Sequence, residues 1–302
     1  MAVNGMSGRQ NTGRTLCGVC PRACLLSEGQ VGMCGARGNV DGRIVALNYG
    51  KLTSIALDPV EKKPLAMWHP GSWVLSVGSY GCNLRCPFCQ NHQIARAGEG
   101  DIPVREVTPD ELVEAALRVR SSGCIGIAYT YNEPLVSWEF MRDTALLARE
   151  AGLYNVAVTN GMVSDAVLDE MLPLLDAANI DLKGFSPEFY AMCLGGLAMG
   201  EGPLELGARA FDAVRNAIER AAAQPGLHLE VTTLVVPQGE TPEALEQAAR
   251  WLASIDPQIP YHVTQYHPAY RWMGVPSLPN RTVRRVAETA RGYLDHVFTG
   301  NM

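Results

Sequence analysis

The chain has 302 residues, enough for one large α/β domain or two smaller ones, and its 47% apolar and 19% charged residues are those of an ordinary globular protein. A formal charge of −6 argues against nucleic-acid binding set by bulk charge, and no run of about eighteen apolar residues is available to span a membrane. The opening stretch MAVNGMSGRQNTGR has no apolar h-region, so residues 1–14 are read as a disordered leader and not a signal peptide. A cytoplasmic location follows. Thiols stay reduced there, so the nine cysteines are expected to be ligands or plain core, not disulfides.

Residues 15–70 read as a small cysteine- and glycine-rich N-terminal module with short strand-like runs at 43–48 and 52–57. Cys17, Cys20, Cys24 and Cys34 follow the spacing C-x2-C-x3-C-x9-C, and four thiols this close suit a tetrathiolate site. A closed set of four fits structural zinc. An auxiliary iron–sulfur cluster takes the same ligands and remains the alternative. With zinc the module would be a clasp or docking surface; with a cluster it could pass electrons to a second centre.

From residue 71 to 302, short apolar runs alternate with amphipathic helical patterns. The expected strands are WVLSVGS (73–79), IGIAYT (125–130), YNVAVT (154–159), AANIDLK (177–183), LHLEVTTLVV (227–236) and YHVTQYH (261–267). Thr108, Pro109, Asp110 and Glu111 spell a capping box with proline at the first helical position, and Ser186-Pro187 and Thr241-Pro242 repeat the cap-plus-proline device. In 280–295, Val283, Val286, Ala287, Ala290 and Leu294 keep the 3.6-residue period. Six strands alternating with helices imply parallel pairing through right-handed crossovers, in a doubly wound sheet or a barrel. Either fold puts its chemistry at the C-terminal strand ends. The polar residues there are Cys82, Cys86 and Cys89; Asn132 and Glu133; Asn160; Asp181 and Lys183; and His267.

GCNLRCPFCQN (81–91) carries three cysteines at C-x3-C-x2-C in a loop straight after a strand. Thiolates so spaced can hold three corners of a [4Fe–4S] cube and leave one iron open, as a reactive site does and a structural site does not. A zinc knuckle or chance cysteines is the plainer reading, and the strand-then-loop context with further βα units behind it weighs against it. Cys124, opening an apolar strand, is read as core; Cys193, beside a glycine-rich loop, is given no role.

CNLRCPFC, with Phe88 before the last cysteine, resembles the signature of the radical S-adenosylmethionine (SAM) enzymes. That resemblance implies a partial (β/α)6 TIM-like barrel, a [4Fe–4S] cluster on Cys82, Cys86 and Cys89, and SAM bound through its amino and carboxylate groups to the open iron. One electron then cleaves the sulfonium to methionine and a 5′-deoxyadenosyl radical, which takes hydrogen from a substrate. Asn132-Glu133-Pro134 stands where the family more often has Gly-Gly-Glu-Pro, which implies that Glu133 meets the methionine ammonium; a helix N-terminus favoured by the dipole is the structural alternative. IDLKG (180–184) resembles the segment with which glycyl-radical activating enzymes hold SAM, so Asp181 and Lys183 are expected on the cofactor. Asn160, in TNG, either contacts it or only makes a tight turn. His267 is expected at the adenine end or the substrate, or else is a loop histidine.

CGVCPRAC, GQVGMCGARGN, YGKLTSIALDPVEKKPLAMWHPGS, YTYNEP, VTNG, IDLKGF and HVFTGN together resemble one subgroup, the radical SAM protein of the AmmeMemoRadiSam system, similar to pyruvate formate-lyase activating enzymes. This implies Memo-like and AMMECR1-like partners and a low-potential electron donor, a flavodoxin or a ferredoxin. Such relatives continue past the TGN segment into another cysteine pair, so a function lodged there is not expected in a sequence ending at Met302. A glycyl-radical enzyme activase is the nearest rival, although 90–123 lacks the cysteines of a ferredoxin-like insert. The rival of another class is an iron–sulfur electron carrier or metal-binding adaptor, which would need neither an open iron nor the polar set at the strand ends.

Overall fold

The computed structural model describes residues 9–10, 13–195 and 202–302. Most of the expected leader lies outside these residues, as does much of the glycine-rich loop after Cys193. Within the leader, Arg9–Gln10 pairs antiparallel with Arg14–Leu16, a strand where disorder is expected. Leu25–Ser27 extends that sheet, and Arg37–Val40 pairs with Arg43–Ala46 in a second hairpin.

The body is one eight-stranded sheet. Its parallel strands follow chain order: Trp73–Gly78, Cys124–Tyr129, Tyr154–Thr159, Ala177–Asp181, His228–Val235, Tyr261–Gln265 and Val297–Gly300. Six match the expected runs to within two residues. The seventh was missed because VFTG is short and half-buried throughout, with no alternation to read. Helices cover the outside, and their starts are as expected. Thr108 and Glu111 make the reciprocal capping box, and the Ser186 and Thr241 hydroxyls accept from the N–H groups of Phe189 and Ala244. The two end strands of the sheet do not pair with each other, so the barrel is open on one side, the partial barrel the sequence implies.

Across the expected boundary at 70/71 the chain continues in one sheet. Ser54–Pro59 joins the same sheet antiparallel to Trp73–Gly78. The segment behind it plugs the N-terminal end of the barrel, where Val60, Leu65 and Trp68 pack with Val74, Ala128, Val156 and Ala177. Polar anchors fix the plug: Asn179 Nδ2 donates to Pro64 O, and the buried Glu230 carboxylate accepts from Ala66 N and Met67 N. With that end filled, open space is left at the C-terminal ends. Among the described residues no helix is long and apolar enough to cross a membrane.

Candidate active site

A cleft of about 250 Å3 opens at the C-terminal strand ends. Cys82, Cys86 and Cys89 line one side, and Asn132, Glu133, Asn160, Asp181 and Lys183 the rest. Eight of the nine residues expected at the principal site thus share one cavity.

The triad loop is fixed from several directions. Gly81 has φ +90°, and a Cβ there would sit 2.7 Å from Cys34 O, so only glycine lets the loop lie this close to the N-terminal module. Cys82 N donates to Cys34 O at 3.0 Å. Phe88 packs against Trp272 and Phe189, with ring centroids 5.3 and 6.2 Å apart. Burial raises the Cys82 thiol to about 12 and lifts Cys89 above its ordinary value. The Cys86 thiol moves down: a bond with Cys193 outweighs burial, and the Lys183 and Arg96 cations add to it.

These three thiols fit a cluster better than a single ion. Cys82 Sγ accepts from Leu84 N at 3.4 Å and from Asn160 Nδ2 at 3.7 Å, bonds of the kind that orient a ligating sulfur. A zinc ion at about 2.3 Å from each sulfur would pull its thiolates together. Among the described residues no three His, Cys, Asp or Glu are placed to hold one ion. The four N-terminal cysteines are mutual neighbours: Cys20 is raised by burial and then by the thiols of Cys17, Cys34 and Cys24. Backbone N–H groups of Val19, Arg22 and Ala36 point at the sulfurs of Cys17, Cys20 and Cys34.

The expected cofactor residues divide by what their side chains touch. Glu133 is 2% exposed, and its carboxylate accepts from Thr159 Oγ1 (2.6 Å), Leu135 N (3.0 Å) and Asn160 N (2.7 Å). Burial still raises its pKa to about 7. Asn132 spends its amide on the chain before the triad, accepting from Ser79 N at 2.9 Å and donating to Gly81 O at 2.9 Å. It positions the loop and at the same time lines the cleft. Asn160 is more than a turn former, since its Nδ2 also reaches Asn83 Oδ1 at 2.9 Å. Lys183 and Asp181 pair at 2.7 Å. Burial opposes the Lys183 charge, but Asp181 and the Cys86 thiol hold its pKa above the usual lysine value.

His267 is outside the cleft. It is exposed, and its Nε2 donates to Asn301 O at 2.7 Å, so it anchors a residue that does line the cavity. Cys124 is core, as read from the sequence. Cys193 is fully buried against Cys86. Sequence reasoning missed Tyr131, Thr232, Thr264 and Asn301 on the cleft wall. The alternation in VTTLVV and YHVTQ offered a signal for the two threonines; Asn301 closes HVFTGN, a segment that carries resemblance but, without the last strand, no position at the strand ends.

An open, mainly parallel barrel with three loop thiols above a polar cleft defines a class of enzymes that keep a metal position free for a cofactor. The Radical SAM superfamily model matches residues 76–252, more than half the chain, and the chain belongs to that superfamily. Membership makes it an enzyme and brings a [4Fe–4S] cluster and SAM. An uncharacterized protein of Methanocaldococcus jannaschii is 38% identical over 289 residues, 95% of this chain and 81% of that one. The pyruvate formate-lyase 1-activating enzyme of Escherichia coli K12 is 30% identical over 121 residues, 38% of this chain and 47% of that one. Among solved structures, Streptococcus suis SuiB bound to S-adenosylmethionine superposes with a TM-score of 0.54 at 12% identity, over 76% of this chain and 52% of that one. QueE from Escherichia coli gives 0.50 at 13%, over 83% and 94%. At such identities the two structures support the fold alone.

Proposed function

We propose that this enzyme cleaves SAM reductively at a cluster held by Cys82, Cys86 and Cys89 and abstracts hydrogen from a substrate with the radical so formed. The observation that carries the reading is the convergence of those thiols and of Glu133, Asn160, Asp181 and Lys183 on one cleft. When bound, the cluster supplies one electron to the SAM sulfonium, which yields methionine and the 5′-deoxyadenosyl radical. Around it, Glu133 faces the methionine ammonium with the acceptor capacity its three donors leave free. Lys183 and Asp181 take the carboxylate and ribose, and Asn160 links Cys82 Sγ to the same wall. Anaerobic reconstitution with iron and sulfide, then dithionite and SAM, should give 5′-deoxyadenosine, and Cys86→Ala should abolish it. A loaded cluster that yields none would favour an electron carrier.

The four N-terminal thiols are read as a second metal centre, supported by their burial and by the N–H groups aimed at them. Zinc retained in a triad-less variant would mark a structural clasp; iron retained there would mark an auxiliary cluster. A second reading, activation of a glycyl-radical enzyme, is favoured by the local similarity to the E. coli activating enzyme. A glycyl EPR doublet on an added partner enzyme would decide for it. Copurification tests the partners: Memo-like and AMMECR1-like proteins, and a flavodoxin or ferredoxin donor. Fractionation tests the cytoplasmic location.

A further inference from the structure

The two cysteine segments touch each other directly. Beside the Cys82 N to Cys34 O bond and the close approach at Gly81, two arginines cross between them in opposite directions. Arg22, between Cys20 and Cys24, is 8% exposed; its Nε donates to Asn83 O at 2.6 Å and its Nη2 to Leu194 O at 2.8 Å. Arg85, in the triad loop, donates from Nη2 to Met33 O at 3.1 Å, next to Cys34. The Arg22 guanidinium therefore sits between two sets of thiols, Cys20 and Cys24 on one side and Cys82 on the other, and it interacts electrostatically with both.

We propose that Arg22 is a positioning residue that couples the N-terminal four-thiol site to the triad and sets how readily the triad's cluster accepts its electron. The physical basis is charge. Reduction adds one negative charge to the cluster, and a buried cation nearby favours that form where water does not screen it. Filling the N-terminal site with a metal ion and four thiolates puts negative charge on the far side of the same guanidinium. Arg22 then divides its field between two anionic centres, and its bond to Asn83 O holds the residue after Cys82 in place. This rests on the reading that the triad carries a cluster.

The test is an EPR-monitored redox titration of the reconstituted full chain. Arg22→Gln should make the triad cluster about tenfold harder to reduce, a midpoint lower by about 59 mV for one electron. Arg22→Lys should restore most of it, because the charge returns. Arg250→Gln, on an exposed outer helix, should change nothing. A midpoint for Arg22→Gln within about 18 mV of wild type, a twofold change for one electron, at equal iron content, overturns the proposal. If Arg22→Gln does not load, hydrogen exchange at the Cys82 amide decides. It should quicken in Cys20→Ala and on chelation of the N-terminal metal from wild type, and unchanged exchange in both overturns the coupling. A wild type that forms no triad cluster would refute the proposed function instead, and the exchange arm would still judge the coupling.

Discussion

Replacing Glu133 by glutamine separates the cost of its charge from the worth of its bonds. Its folded pKa, about 7 against an ordinary 4.5, is raised. The stability the protonated group contributes is therefore fully present below pH 4.5 and is lost as pH rises through 7. At about 1.4 kcal/mol per pH unit, the ionised form carries a penalty of about 3 kcal/mol, undiscounted because the residue is buried. Glutamine escapes that penalty but has one acceptor oxygen. With its carbonyl serving Thr159 Oγ1 and Leu135 N, its NH2 meets the Asn160 N–H, and a buried unpaired donor costs about 1–3 kcal/mol. Glu133→Gln should thus be less stable than wild type at pH 4.5 by about 1–3 kcal/mol, and equal or up to about 2 kcal/mol more stable at pH 8. Anaerobic urea unfolding across that range measures both ends. SAM binding should move the other way: without a carboxylate facing the ammonium, affinity at pH 8 should fall about tenfold or more. A stability difference that does not change with pH, or SAM affinity within threefold of wild type, refutes the reasoning.

Gly81→Ala puts a Cβ 2.7 Å from Cys34 O at φ +90°, so it should cost about 2 kcal/mol or more and lower the iron that reconstitution installs; thermal unfolding and iron assay check both. Asp58→Ala should cost about 3–5 kcal/mol, because Lys63, with 2% of its side chain exposed, would lose the carboxylate 2.8 Å away that offsets the burial of its charge. Methionine at Lys63 in addition should recover much of that loss in the same unfolding assay. Cys124→Ala should leave iron content and 5′-deoxyadenosine yield unchanged while lowering the unfolding midpoint, since its thiol is core; lost iron would show that the triad was misassigned.

What the sequence made legible was whatever repeats locally. Six strands carry their own apolar runs, three helix starts carry side-chain caps, and three thiols sit within eight residues. What it hid depends on contacts between distant segments. His267 ends a strand, as a cleft residue should, yet the neighbouring Val297–Gly300 strand brings Asn301 up to it and takes the cavity position. Asn132 occupies the expected place in the chain, but Ser79 N and Gly81 O, some fifty residues away, claim its amide. Arg22 falls inside the C-x2-C-x3-C spacing with nothing local to single it out; only docking of the N-terminal module on the triad loop puts it between two sets of thiols.

Tyr131 explains how the two halves of the site are held to each other. A bulky side chain at φ +71° costs on the order of 1–3 kcal/mol and persists only where its surroundings force it. Here its hydroxyl donates to Asp58 Oδ2 at 2.6 Å, and Lys63 Nζ lies 4.7 Å from the ring centre. Burial opposes the Asp58 charge, but bonds from Lys62, Lys63 and Tyr131 hold that carboxyl well below the usual range, so the anchor stays ionised. Gly78 leaves room for the ring, since a Cβ there would lie 2.9 Å from Tyr131 Cβ. The turn so enforced sends Asn132 back to the triad loop and Glu133 across to the end of the Tyr154–Thr159 strand. One strained residue, anchored in the segment ahead of the barrel, thus ties three consecutive strand ends together. The cleft wall is consequently set before any ligand arrives, as differential binding of a reactive cofactor requires.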